Sequence, residues 1–137
     1  MGNIHKQKLN ELSSIYKHIE KFYNFEKNRD KKIINKYNNY IKKIPKLVRK
    51  NGLILTMAYL NKKTTGEDGE IYESIIETYV ECNKNEFNNL SIGEKINYFL
   101  DSEPKEKELK SLSIKTIDFF EKYSILADGY GCDINGK

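Results

Sequence analysis

From Leu9 onward the apolar residues recur at spacings of three and four: Leu9, Leu12, Tyr16, Ile19 and Tyr23, with Ile15 and Phe22 alongside and lysines and glutamates between them. That period places them on one stripe of a helix. A second stripe runs through Ile33, Tyr37, Tyr40, Ile41 and Ile44, behind Asp30, an acid where the helix dipole favours one. Pro45 lacks an N–H, so it is expected to end or kink this helix and to open the next. Asn51-Gly52 should stop that third segment, with the backbone held close to a neighbour. A further helix is expected from Leu53 to about Lys62, carrying Leu53, Leu55, Met57, Ala58 and Leu60. The stretch Thr64-Thr65-Gly66-Glu67-Asp68-Gly69 reads as a loop, and Ile71/Tyr72, Ile75/Ile76 and Tyr79/Val80 form the next helical face. Ser91 and Glu94 have capping-box spacing before an apolar run through Ile96, Tyr98, Phe99 and Leu100. Pro104 is expected to start the last helix, whose face is Leu109, Leu112, Ile117, Phe119/Phe120, Tyr123 and Leu126, and the chain after Gly129 to fray. Strand alternation is scarce and no repeat of 20–50 residues recurs. The expectation is an all-α protein: a compact bundle of about six helices in a single domain over residues 1–128, with a flexible C-terminal tail at 129–137.

Composition narrows the setting. The chain has 137 residues, enough for one domain that buries its own core without disulfides or metal. Ten Tyr and six Phe are too many for a disordered chain. Only eight Gly and two Pro are too few for a turn-rich β-sandwich. No run approaches the length of a membrane span, and Met1-Gly2-Asn3-Ile4-His5-Lys6 lacks both the apolar run of a signal peptide and the Ser or Thr of a myristoylation signal. Two isolated cysteines, Cys82 and Cys132, fit a reducing compartment, so the expected location is cytoplasmic with no membrane contact.

The charge is small in total, +4, and large in its distribution. Residues 1–63 hold sixteen Lys and Arg against four Asp and Glu, while residues 64–137 hold eight against sixteen. Such asymmetry predicts a basic face and an acidic face, suited to a polyanion or to another protein's complementary surface. The alternative is that helices from the two halves interleave and neutralise one another locally. The cations are mostly Lys, which suits attraction to backbone phosphate more than the bidentate reading of bases.

Candidate chemistry is thin. His5 and His18 lie thirteen residues apart on one helix, so a histidine-based metal or triad site would need its other members from elsewhere. They read as solvent-exposed polar positions. Cys82 stands beside Glu81, whose charge raises rather than lowers a thiol pKa. The acids Glu67, Asp68, Glu70 and Glu73 lack the alternating ligands and closing Glu of a calcium loop, and Glu103, Glu106 and Glu108 belong to the start of a helix. There is no phosphate-binding glycine loop, nucleophile elbow or HExxH. No catalytic residue, metal or cofactor is expected, and the protein does not read as an enzyme.

The informative segment is Tyr37 to Lys63. Lys46, Arg49 and Lys50 share one helical face by the i, i+3, i+4 rule, with Lys42 and Lys43 before them and Lys62 and Lys63 closing the following helix. Their mutual repulsion becomes useful only with an anion lying across them; the plain alternative is a solvated basic face. These seven are the candidate nucleic-acid-binding residues, with Pro45, Asn51 and Gly52 as candidate shaping residues.

Tyr37 to Tyr40, Ile44-Pro45, Arg49-Lys50-Asn51-Gly52-Leu53 and Thr56-Met57-Ala58-Tyr59-Leu60 with Lys62-Lys63 together resemble the small subunit of the type III-B (Cmr-type) CRISPR effector complex. The last helix, Thr116 to Ala127, resembles that family's C-terminal helix. Ile54-Leu55 stand where the family usually has a small or polar pair, and Ser124-Ile125 where its last helix carries a Lys-Arg step. The resemblance implies a non-catalytic helical subunit that stacks in several copies along a ribonucleoprotein filament. Its implied partners are the backbone subunit, other small-subunit copies, crRNA and target RNA. In such assemblies pairing reads sequence while protein holds the duplex by shape and phosphate. Opposed charges on the two halves would let one copy's basic surface meet the next copy's acidic one, a contact that propagates. A second reading is a helical protein–protein adaptor or self-associating bundle with no direct nucleic-acid contact.

Overall fold

Ile34, Tyr37, Ile41, Ile44, Pro45 and Val48 repeat along the buried side of one long helix, and the rest of the molecule is arranged around it. The computed structural model describes residues 2–25, 30–101, 103 and 105–135, with side chains for those between 9 and 132. The element order is α1 (Gly2–Tyr23), α2 (Lys31–Asn51), α3 (Leu53–Lys63), α4 (Gly69–Cys82), α5 (Lys84–Phe87), α6 (Ile92–Leu100) and α7 (Glu106–Asn135). No strand occurs among the described residues, and no helix there is long and apolar enough to cross a membrane. Since α5 is a four-residue turn, the all-α bundle of about six helices is observed. Helices α2 and α7 form the central pair, α1 and α4 pack against both or either of them, and α6 packs on α3.

The core is rich in tyrosine, and that dictates its internal polarity. A buried phenol must hydrogen-bond at its tip while its ring packs among hydrocarbons. Tyr37 and Tyr123 therefore meet hydroxyl to hydroxyl across the α2–α7 seam, and Tyr123 reaches Thr78 of α4. Tyr79 meets Thr116 in the same way. Tyr23 donates to the carbonyl of Ala127 at 3.1 Å and accepts from Asn38 Nδ2 at 2.9 Å. The Phe22 and Tyr37 rings stack with centroids 3.9 Å apart. Burial raises the pKa of Tyr37, Tyr79 and Tyr123, so all three stay neutral donors.

Four sequence expectations change. Pro45 does not end the helix: α2 runs through it to Asn51, because Ile41, Ile44 and Val48 on either side are buried in the same interface and outweigh one missing backbone bond. The turn at Gly52 is present, with φ +85°, but a Cβ there would touch nothing within 4 Å. Glycine serves the dihedral and not a close approach. The last helix continues past Gly129 to Asn135, held by Tyr130, whose ring meets Tyr16 and Tyr23 edge-on at 5.4 and 4.7 Å. Close approach matters at Gly69, where a Cβ would lie 2.2 Å from the Thr64 carbonyl oxygen, and at Gly131, where it would lie 2.8 Å from the Tyr23 hydroxyl. Leu9 and Leu55, expected in stripes, are 65% and 64% exposed. Pro104 lies outside the described residues. The capping box forms as expected, Glu94 N–H donating to Ser91 Oγ at 3.1 Å and Ser91 N–H to Glu94 Oε1 at 2.8 Å.

Candidate nucleic-acid interface

Continuity through Pro45 enlarges the basic surface. Helix α2 has eight Lys and Arg and no acid in its sequence. At about 100° per residue, Lys31, Lys32, Lys36, Lys42, Lys43, Lys46, Arg49 and Lys50 fall within an arc of about 140°, opposite the buried side. Asn35 and Asn39 lie on the same arc. From Lys31 to Lys50 this stripe is about 28 Å long at 1.5 Å per residue. Asp30 caps the helix, accepting from the N–H of Lys32 at 2.9 Å. Lys31, Lys32 and Lys36 were not among the sequence candidates. The signal was there, since their spacing continues that of Lys43, Lys46 and Lys50, but it was hidden by breaking the helix at Pro45.

Three cations at the edges of the stripe are matched within the molecule, while those in its middle form no ion pair among the described residues. Along one edge Lys42 pairs with Asp128 at 3.1 Å and Arg49 with Glu121 at 3.1 Å, both acids belonging to α7. At the other edge Lys36 pairs with Asp68 at 3.3 Å. The interleaved arrangement weighed from sequence thus holds for three cations of α2, and for Lys21 of α1, which lies 3.4 Å from Glu77. Lys43, Lys46, Lys50, Lys62 and Lys63 form no ion pair among the described residues.

Aromatic rings connect α2 to α3. Lys43 Nζ sits 5.9 Å from the Tyr40 ring, Tyr40 stacks on Tyr72 at 4.7 Å, Tyr59 meets Tyr72 edge-on at 6.4 Å, and Lys63 Nζ lies 5.4 Å from Tyr59. Tyr40 also donates to Asp68 at 2.6 Å. That bond, then burial, pushes the Tyr40 pKa up to about 12, and it holds the Asp68 carboxyl below its ordinary range together with Lys36. Lys43 and Lys63 are therefore brought to one patch. Lys46 and Lys50 share its helix, Lys42 and Arg49 face α7, and no contact ties Lys62 to the others.

Elsewhere the candidate groups have partners within the fold. His18 is covered rather than exposed, its side chain 15% accessible and Nε2 3.0 Å from Glu81 Oε2. With Glu77 it makes the one group among the described residues whose ligand atoms, all within 4.8 Å, could hold a cation. Lys21 already lies 3.4 Å from Glu77, so these charges are matched. The side chain of His5 lies outside the described residues. Burial pushes the Cys82 thiol up, with Glu81 adding to it and a Ser14 contact at 3.5 Å opposing, which leaves a poor nucleophile.

A family model described as CRISPR-associated protein (Cas_Cmr5) matches residues 6–122. No curated protein and no solved structure matches the chain.

Proposed function

Because the chain belongs to the CRISPR-associated Cmr5 family, the small subunits of type III-B Cmr complexes, we propose that its α2 stripe lies along the phosphates of the guide–target RNA in that complex and that it contributes no catalytic group. The observation that carries this reading is the unpaired middle of the stripe. Among the described residues Lys43, Lys46 and Lys50 of this acid-free helix have no carboxylate partner, although acids are plentiful in the second half of the chain. Lysines so placed repel one another and gain when a polyanion displaces their counterions. Lys62, Lys63 and the edge cations Lys42 and Arg49 extend the contact. Copies of the subunit stack head to tail, acidic surface to basic surface, as a heterologous contact permits.

The test is the assembled complex carrying Lys46→Ala, Arg49→Ala and Lys50→Ala together. Target-RNA affinity should fall about tenfold or more and the salt dependence of binding should flatten. Thermal stability of the subunit should change by less than about 1 kcal/mol, as for surface substitutions. Unchanged RNA affinity removes the assignment. Salt-sensitive self-association with no effect on RNA would favour the protein–protein adaptor.

A further inference from the structure

The outer face of α3 combines large apolar side chains with cations, and the helix contains no acid. At about 100° per residue Leu55, Ala58, Tyr59, Lys62 and Lys63 fall within an arc of about 140°, opposite the buried Leu53, Met57 and Leu60. Leu55 is 64% exposed and Tyr59 39%. Lys62 and Lys63 form no ion pair among the described residues. A single exposed apolar side chain needs no explanation, but two on successive turns beside unmatched cations form a patch.

The Tyr59 ring is held from behind. Tyr72, buried, meets it edge-on at 6.4 Å and itself stacks on Tyr40 at 4.7 Å. Lys63 Nζ lies 5.4 Å from the Tyr59 ring, much as Lys43 Nζ lies 5.9 Å from that of Tyr40. A nucleotide presents a flat base and, beside it, an anion, so a fixed ring flanked by an ammonium offers a contact to each. Two large side chains and Ala58 offer far less apolar area than the roughly 800 Å² per partner of a stable protein contact, yet enough for one base.

We propose that the outer face of α3 takes an unpaired nucleotide of RNA, its base against Tyr59 and Leu55 and its phosphates toward Lys62 and Lys63. A paired base already has neighbours on both faces, so only an unpaired one is free to stack on a side chain. Such stacking tolerates any sequence because every base has a π-face, which suits a subunit that leaves sequence to guide–target pairing. This use of α3 rests on the α2 reading above and extends it. Through Tyr40, Tyr72 and Tyr59 the α3 face adjoins the α2 patch, so a strand leaving a duplex held on α2 can run onto it.

The test is photocrosslinking of the assembled complex with 5-iodouridine, which bonds covalently to an aromatic ring stacked on it, placed in turn at paired and unpaired positions of guide and target. An adduct on Tyr59 from an unpaired position, and none from paired ones, is expected. Affinity for the strand that crosslinks should fall about tenfold in Tyr59→Leu, which keeps apolar bulk without a π-face, and stay within about twofold of wild type in Tyr59→Phe. No adduct on Tyr59 from any unpaired position, an equal yield from paired ones, or unchanged affinity in Tyr59→Leu overturns the proposal. So does failure of the Tyr59→Leu subunit to enter the complex while Tyr59→Phe enters, since that marks the face as a protein contact. If Tyr59→Leu does not fold, the crosslink on the wild-type chain still decides. Lost RNA affinity in the Lys46, Arg49 and Lys50 triple variant with none lost in Tyr59→Leu defeats the α3 assignment alone. Retained affinity in the triple variant defeats the α2 reading, whatever Tyr59 does.

Discussion

Helices α2 and α7 lie against each other and handle charge in opposite ways. From Lys115 to Asp128 of α7 the charges close on neighbours: Lys122 pairs with Asp118 at 2.7 Å and with Glu11 at 3.4 Å, Lys115 with Glu86, and Glu121 and Asp128 with cations of α2. On α2, which has no acid of its own, only cations at the edges of the stripe find carboxylate partners among the described residues. The difference teaches that a net charge per half of the chain overstates what is free to meet a partner. Part of the asymmetry is spent in fastening the two helices, and the remainder is a narrow strip of lysines. Exposed pairs contribute little to stability, so the seam must be held by its aromatic interior.

The strongest way to break this comparison is at that interior. Tyr123→Ala removes a fully buried ring and its bonds to Tyr37 and Thr78, and should cost about 3–5 kcal/mol in urea unfolding. A loss no greater than that of a surface substitution would mean the α2–α7 seam is not the core. Next in size is the charge at the edge. Asp128→Asn with Glu121→Gln releases Lys42 and Arg49, so RNA affinity of the assembled complex should rise a few-fold, with stability altered by less than about 1 kcal/mol. A fall in affinity would show that these acids position their partners rather than mask them. The smallest effect is at the opposite edge. The carboxyl of Asp68 is held below its ordinary value of 3.8 by Tyr40 and Lys36, so it favours the fold above that value. This contribution fades as pH falls below about 4 and the carboxylate takes up a proton. Asp68→Asn should flatten that part of the acid-unfolding curve and, by releasing the single cation Lys36, raise neutral-pH RNA affinity by less than the paired α7 change does.

Much of this was legible beforehand because it depends on local rules. Spacings of three and four named Ile19, Tyr37, Ile41, Ile44, Ile75, Phe119 and Tyr123, all now in the core. The capping box at Ser91 and the stop at Gly52 need only a few neighbouring residues to form. Pro45 misled for the same reason: locally it breaks a helix, and only packing on α7 overrides that. Leu55 misled in the reverse sense, being apolar on a helix whose neighbours cover its other side. Within the candidate interface the residue types were readable, but their pairing was not. Lys42 and Asp128 are 86 positions apart, and Arg49 and Glu121 are 72.

By itself the amino-acid sequence determined that this chain folds as helices and that its first half is cationic. Those properties follow from periodicity and composition, which need no knowledge of what touches what. The tertiary structure alone decided that α2 is one unbroken rod, and which of its cations are matched by α7. Each of these is a contact between residues far apart in the chain, and its free energy exists only once the helices have packed.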